Sequence, residues 1–346
     1  MPPIEETNLT SRPDMNQFTV QQNLDRFAST LRPRAPWTHN TDLVFLVGCP
    51  RSGTTWLQAM IASHPAIYTG PETRFFALVG GIEKEFLRPD ATKAGLPVYS
   101  TKEDLYKVTA ELFWSLVSAL NYPSGEPKYF LEKTPHHCLF SEFILNTFPK
   151  ARFIHLIRDG RAVVSSMLRA SKSWGQHWAP ETVDQATKSW LQHTQAGRMI
   201  AEQTKGTDQY LEVRYEDIRQ NPHYYMSKLF EWLELPADES LISSIVDANA
   251  LDKVASSKEP FAAIPMIDGN AIVPKSKTAY PEGFIGPASI NVDDIQLSKL
   301  QRLRVEYLAG KLLQELGYPE VKNQLSIWEK VATSSKVRKK LHLPML

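Results

Sequence analysis

Five consecutive apolar residues, Leu43-Val-Phe-Leu-Val47, stand between Asp42 and Gly48, and a run of this kind suits a strand buried on both faces of a parallel sheet. Past the glycine-bearing turn 48–53 the period changes. Trp56, Leu57, Met60 and Ile61 fall at helical spacing, and His64-Pro65 ends that helix. The same grammar recurs downstream. Arg152-Phe-Ile-His-Leu-Ile157 predicts a second buried strand, turning at Asp159-Gly160 into a helix through about Leu168. Tyr129-Phe-Leu131 predicts a short strand, and Tyr210-Leu-Glu-Val-Arg214 a further one. A longer helix is expected from Glu181, with Val183, Ala186, Trp190, Thr194, Gly197 and Ala201 on one face, and others over about 222–234 and 239–247. Leu297, Leu300, Leu308, Leu312 and Leu316 line a C-terminal helix that stops at Gly317. Strands separated by helices predict an α/β chain, a three-layer α/β/α arrangement around a central parallel sheet.

Two stretches break the pattern. Residues 80–128 read as a mostly helical insertion over the sheet edge, and the proline-rich residues 255–292 as a long loop placed like a lid. Residues 1–40, punctuated by prolines, read as an N-terminal arm, and 321–346, with Lys336-Val-Arg-Lys-Lys340, as a solvated basic tail. Between them the motifs described below place one domain over residues 41–320. The 346 residues include 39 basic and 38 acidic side chains, a formal charge of +1 that argues against a globally basic nucleic-acid binder. Two cysteines are too few for a disulfide framework and form no metal-ligand cluster. The N-terminus has no basic segment followed by an apolar core, and no window approaches the roughly eighteen apolar residues of a membrane span. The expectation is a soluble, cytoplasmic protein without integral membrane association.

Gly48-Cys-Pro-Arg-Ser-Gly53-Thr-Thr55 has the Gly-x4-Gly skeleton of a phosphate loop, with Thr54 where a nucleotide triphosphatase carries lysine. Successive amides at a helix N-terminus, with the Ser52, Thr54 and Thr55 hydroxyls, form an anion cradle, and Arg51 offers a planar fork for a tetrahedral anion. The alternative is a tight strand-to-helix turn with an incidental arginine. Pro50-Arg-Ser-Gly-Thr-Thr-Trp56 resembles the 5′-phosphosulfate loop of the sulfotransferases, whose donor is 3′-phosphoadenosine 5′-phosphosulfate (PAPS) and whose product is 3′,5′-ADP (PAP). Cytosolic members carry lysine at the position of Arg51, and the tyrosylprotein sulfotransferases arginine.

The resemblance extends along the chain over roughly residues 42–320. Ile157-Arg-Asp-Gly-Arg-Ala-Val-Val-Ser-Ser-Met167 is similar to the family's 3′-phosphate segment, which implies that Arg158 and Ser166 hold that phosphate. Six basic residues against one acid between Lys150 and Lys172 concentrate positive charge there. The resemblance further implies that Trp56 stacks on adenine and that Tyr215, in Val213-Arg-Tyr-Glu-Asp217, reaches the adenine edge. Glu132-Lys-Thr-Pro135 is similar to the second catalytic lysine segment, so Lys133 joins Arg51 in neutralising the sulfuryl group. Where cytosolic members place a histidine base this chain has Pro135. Gly70-Pro-Glu-Thr-Arg74 is similar to the Glu-Thr-Arg of the tyrosylprotein enzymes and implies Glu72 as base, with His136 and His137 as rivals.

The late segment 274–289 matches neither family version of the loop over the 3′-phosphate, and Lys275, Ser276 or Lys277 are candidates to cap it. The region 80–128 and the cluster Trp174, His177, Trp178 are candidates for acceptor selection. The implied activity is metal-free transfer of a sulfuryl group from PAPS to a hydroxyl or amine of a small-molecule, carbohydrate or lipid acceptor. A P-loop small-molecule kinase and a non-catalytic nucleotide-binding module remain alternatives. A tyrosylprotein sulfotransferase is a third, set aside on the absence of a secretory signal.

Overall fold

In β1 (Asp42–Gly48), the alternation of the strand sends Leu43, Phe45 and Val47 to one face and Val44 and Leu46 to the other, and all five are buried. A computed structural model describes residues 41–90, 93, 95–117, 127–268, 271–273, 280–281, 284–285, 290 and 294–319. Around β1 the chain builds a five-stranded, all-parallel sheet with β2 (Ile67–Thr69), β3 (Tyr129–Glu132), β4 (Arg152–Ile157) and β5 (Tyr210–Arg214). The order is β2-β3-β1-β4-β5. Leu43 pairs with Phe130 in register on one side, and Phe45 with Phe153 on the other.

Each face finds its own cover. Val44, Leu46, Leu131, Ile154 and Leu156 pack under α1 (Thr54–Ala62), and farther out under the helices 215–220, 222–232 and 239–248. The opposite face, with Phe45, Phe130 and Phe153, lies under α2 (Phe75–Phe86), α3 (Lys102–Val117) and α4 (Ser141–Thr147). The segment 80–117 therefore covers a face of the sheet, where the sequence suggested only an edge. Phe86, Phe113 and Val117 are buried in that layer, so the insertion is part of the core. A third cluster joins α5 (Gly160–Ser171), α6 (Val183–Gln203) and a C-terminal helix Lys299–Glu315.

Three expectations change. The buried stripe of the C-terminal helix is Leu303, Val305, Ala309, Leu312 and Leu313, while Leu297, Leu300, Leu308 and Leu316 are half-buried. A capping box at Ser298 and Gln301 sets its start, and the turn at Gly317 sets its end as expected. The strand β2 went unread because three residues carry too little period. The stretch 255–292 contains a two-stranded antiparallel ribbon, Met266–Asp268 with Ala271–Val273, and Lys275, Ser276 and Lys277 lie outside the described residues.

The turn after β1 depends on glycine. Gly48 has φ 150, and a Cβ there would stand 2.5 Å from the Leu156 carbonyl oxygen of β4. Gly48→Ala is expected to destabilise the fold by about 2 kcal/mol or more. Gly81→Ala, on α2 with nothing within 4 Å of the new Cβ, is expected to be neutral or stabilising by up to about 1 kcal/mol. Urea unfolding midpoints check both, and equal midpoints for the two variants would contradict the packing argument.

Candidate active site

The loops after β1, β3, β4 and β5 all leave the sheet at its C-terminal edge, where open parallel sheets place ligands. After β1 the chain turns tightly, with the Ser52 N–H donating to the Cys49 carbonyl at 3.1 Å. Arg51 adopts φ 75, a left-handed conformation that costs a non-glycine residue about 1–3 kcal/mol and concentrates at functional sites. Gly53 has φ 99, and a Cβ there would collide with the Tyr215 ring at 2.6 Å. No side chain caps the first turn of α1, so its N–H groups open onto the loop. The Ser52 hydroxyl is buried and has no hydrogen-bond partner among the described residues.

Arg158, at the end of β4, lies over the Tyr215 ring at 4.2 Å and donates to the Arg51 carbonyl at 3.3 Å. Its own carbonyl accepts from the indole of the fully buried Trp190 at 3.0 Å, and Gly160 leaves room for that indole. Ser166, on the second turn of α5, accepts from Arg51 Nε at 3.1 Å. These groups line one cleft with Thr54, Thr55, Trp56 and Arg169. Burial lowers the Arg51 pKa to about 10, helped by the positive charges of Arg158 and Arg169. Burial, then Arg158, also lowers Arg169. Among the described residues no carboxylate pairs with Arg51, whose partners are the Ser166 hydroxyl and the Phe284 carbonyl, the latter at 2.8 Å. A buried cation with neutral partners, crowded by two others, suits an anion.

The basic run 150–172 is less concentrated than its count suggests. Arg152 pairs with Glu234 at 2.5 Å, and Arg161 with Asp159 at 2.7 Å and Glu306 at 3.0 Å. Lys150 and Lys172 are exposed, which leaves Arg158 and Arg169 at the cleft. Trp56 borders the cleft edge-on to Tyr215, with ring centroids 5.6 Å apart and its indole N–H donating to the Asn249 carbonyl at 2.8 Å.

A cavity of about 560 Å³ adjoins the cleft, and Arg51, Thr54, Thr55 and Phe284 line both. At their junction Lys133 Nζ contacts Glu72 Oε1 at 2.5 Å and donates to Thr55 Oγ1 at 3.3 Å. The pair is held from behind by Glu132. Its carboxylate accepts from the Thr73 hydroxyl at 2.8 Å and N–H at 3.2 Å, from the Thr134 hydroxyl at 2.6 Å and N–H at 3.1 Å, and from His137 Nδ1 at 2.7 Å. Burial alone would raise the Glu132 pKa, but the His137 ring, Thr134 and Thr73 outweigh it and bring it down to about 2.

The model of the "Sulfotransferase family" matches residues 43–239, more than half of the chain. The chain belongs to the sulfotransferase family. Protein-tyrosine sulfotransferase 1 of Danio rerio is 28% identical over 210 residues, covering 60% of this chain and 58% of that protein. Protein-tyrosine sulfotransferase 1 of Mus musculus is 30% identical over 168 residues, covering 48% and 43%. The chain thus spans about half the length of the curated relatives it matches. A mouse sulfotransferase crystallised with PAP superposes with a TM-score of 0.49 at 14% identity, covering 92% of this chain and 93% of that one.

Within this chain the residues singled out from sequence as catalytic or cofactor-binding, Arg51, Ser52, Gly53, Thr54, Thr55, Trp56, Glu72, Lys133, Arg158, Ser166 and Tyr215, fall at the C-terminal edge of the sheet. Ser52 and Lys133 are buried, Lys133 against Glu72 and Thr55, and the others line the cleft or the cavity. The rival histidines separate. His137 is fully buried, with Nδ1 on Glu132 and Nε2 facing the Phe76 N–H at 3.4 Å, so it has no nitrogen left for an acceptor. His136 stays on the cavity wall, its ring edge-on to His193 at 4.8 Å; desolvation first, then His193, lowers its pKa to about 4. The described residues of 80–117 contribute no wall to the cavity, and His177 does not line it, while Trp174 and Trp178 do. Arg169 and Glu132 were missed. Arg169 lies one helical turn past Ser166, a spacing that could have flagged it, whereas Glu132 is recognisable only from its burial.

The donor set fits a ligand carrying two anionic groups on an aromatic base: three guanidiniums, three loop hydroxyls of which Ser52 lacks a partner, and the Trp56 and Tyr215 rings. Among the described residues no group of three His, Cys, Asp or Glu side chains could hold a metal ion, and no helix is long and apolar enough to cross a membrane.

The Glu132 carboxylate gives the fold a pH signature. A carboxyl whose pKa is depressed on folding stabilises the protein above its unfolded value, and that stability is lost as pH falls from there through the folded value. The window here runs from about 4.5 down to about 2. Glu132→Gln is expected to lower stability near neutral pH by on the order of 3 kcal/mol. It should also flatten the acid limb of the stability curve across that window, as read by urea unfolding at stepped pH. A variant whose acid limb parallels the wild type would contradict the network.

Proposed function

We propose that the chain transfers the sulfuryl group of PAPS to a hydroxyl acceptor, with PAP as the second product. The observation that carries this reading is the Glu72–Lys133 contact, which sets a carboxylate beside a cation where a basic cleft opens into a large, largely apolar cavity. When bound, PAPS supplies a sulfur whose bond to the bridging phosphate oxygen breaks as the acceptor oxygen bonds to it. Arg158, Ser166 and Arg169 hold the 3′-phosphate end, with Trp56 and Tyr215 on the adenine. The amides of 52–55 with Arg51 and Lys133 hold the phosphosulfate end and balance the negative charge that develops there. The cleft encloses about 90 Å³ with Arg51 bonded to the Phe284 carbonyl, a partner that an entering anion would replace.

The acceptor proton goes to Glu72. Its carboxylate faces the cavity and is one-third exposed, whereas Glu132 is sealed away and His136 is a weak base. Lys133, in contact with Glu72, holds that carboxylate beside the place where the acceptor oxygen must arrive. The cavity wall includes Phe140, Trp174, Trp178 and Phe284, a surface that suits a flat ring better than a sugar. Together with the protein-tyrosine sulfotransferases among the relatives, this ranks a tyrosyl or other phenolic hydroxyl ahead of the small-molecule, carbohydrate and lipid alcohols expected from sequence.

The test is transfer from labelled PAPS to a tyrosyl peptide, a simple phenol, a sugar and a long-chain alcohol, with PAP binding measured by calorimetry. Glu72→Gln is expected to lower turnover about a hundredfold or more while binding PAP nearly as the wild type does. His136→Gln is expected to cost far less. A Glu72→Gln enzyme that kept most of its turnover would remove Glu72 from the mechanism. Stabilisation by ATP with magnesium in preference to PAP would replace the sulfotransferase reading with a kinase.

A further inference from the structure

Arg51 is held at its tip as well as along its backbone. Its guanidinium carbon lies 4.9 Å from the Trp174 ring centroid and 5.1 Å from that of Phe284, and the two rings are 5.1 Å apart. Both distances fall within the reach of cation–π attraction, which strengthens where water is excluded. The hydrogen bonds to Ser166 and Phe284 fix where the fork points, but both use single N–H groups at its rim. The ring face beneath it fixes the plane.

Trp174 is well placed for this. It sits in the turn after α5, where the Gly175 N–H donates to the Ala170 carbonyl at 2.8 Å and the Trp178 N–H to the Gly175 carbonyl at 3.0 Å. A Cβ at Gly175 would come within 3.0 Å of that Ala170 oxygen, so the turn packs tightly against the helix end. Trp178 lies beyond, 5.5 Å from Trp174, and lines the cavity without lying over Arg51. Arg51 is the cation shared by cleft and cavity, and it starts from a strained backbone. A long side chain at such a point needs a support other than the ligands it serves.

We propose that Trp174 is a positioning residue for Arg51, holding the guanidinium by its ring face at the wall between the two pockets. The inference rests on the reading of Arg51 as a cation of the sulfuryl site. The clamp belongs to the ring, so Phe and Tyr can replace Trp174 where Leu, of similar bulk but without a π face, cannot.

The experiment treats the full chain, without donor or acceptor, with the arginine reagent phenylglyoxal and follows modification of Arg51 by peptide mass spectrometry. Trp174→Leu is expected to speed modification of Arg51 about tenfold, the loss of one desolvated cation–π contact. Trp174→Phe should restore most of the protection, and Trp178→Leu should leave the rate as in the wild type. With a phenolic acceptor, kcat should fall about tenfold in Trp174→Leu and clearly less in Trp174→Phe, while Trp178→Leu acts mainly on KM. Equal Arg51 labelling in Trp174→Leu and wild type, or equal acceleration in the Leu and Phe variants, would overturn the proposal. Absence of turnover by the wild type on every acceptor would defeat the proposed function, and the labelling would still decide the role of Trp174.

Discussion

A carboxylate with no exposure cannot keep its charge in a protein interior unless donors surround it, and Glu132 meets that condition through two segments remote in sequence. Thr73 comes from the loop before α2, while Thr134 and His137 follow β3. Satisfying one buried charge therefore fixes both strands of chain against each other. Glu72 precedes Thr73 and Lys133 precedes Thr134, so this carboxylate and this ammonium are set side by side as a by-product. Their own contact, with Glu72 one-third exposed, contributes little stability by itself. The network behind it provides the rigidity that transfer chemistry needs.

The cleft side is organised on a different principle. Arg161 and Asp159 neutralise each other, with Glu306 adding a second carboxylate. Glu216 accepts from the Asp159 N–H, and Trp190 from α6 pins the Arg158 carbonyl. These contacts settle the backbone of the turn after β4 with charges that cancel. Arg51, Arg158 and Arg169 are left facing a common space, and burial and mutual repulsion already lower the pKa values of Arg51 and Arg169. An anion entering there relieves a cost the fold has already met, which is how a chain of charge +1 holds a strongly cationic cleft.

How much of this could be read from sequence depends on the range of each signal. The buried strands at 43–47, 129–131, 152–157 and 210–214 and the helices after 48–53 and 159 are local patterns; the strands matched to within a residue, and the second helix runs three residues past its expected end. The three-residue β2 has too little period to register, and the ribbon at 266–273 lay in a stretch dominated by prolines. The anion loop was legible because glycine, strand and helix coincide. Glu132 was passed over because it stands next to Lys133 in a motif read for its lysine, and only the sheet reveals that strand alternation turns the two side chains in opposite directions. His136 and His137 are indistinguishable in sequence, whereas the 3-10 turn Pro135–Phe140 buries one and exposes the other. The count of basic residues over 150–172 failed for the same reason, since partners such as Glu234 and Glu306 are far away in the chain.

The distribution of cavity walls has a consequence for acceptor choice. Within residues 80–117, Phe86 and Phe113 are buried, so changing them disturbs the core before it alters the cavity. Apart from residues 50–55, shared with the cleft, the walls come from 72–77, 134–140, 174–178 and Phe284. The first two of these carry Glu72 and the segment behind Lys133, and the Glu132 network binds them together, so they have little freedom to vary. The turn 174–178 lies outside that network and beyond the end of α5, with Trp178 exposed at the rim. Variation in the acceptor is therefore most cheaply accommodated at Trp178 and its neighbours, while Trp174, shared with Arg51, ties that same turn to the donor side.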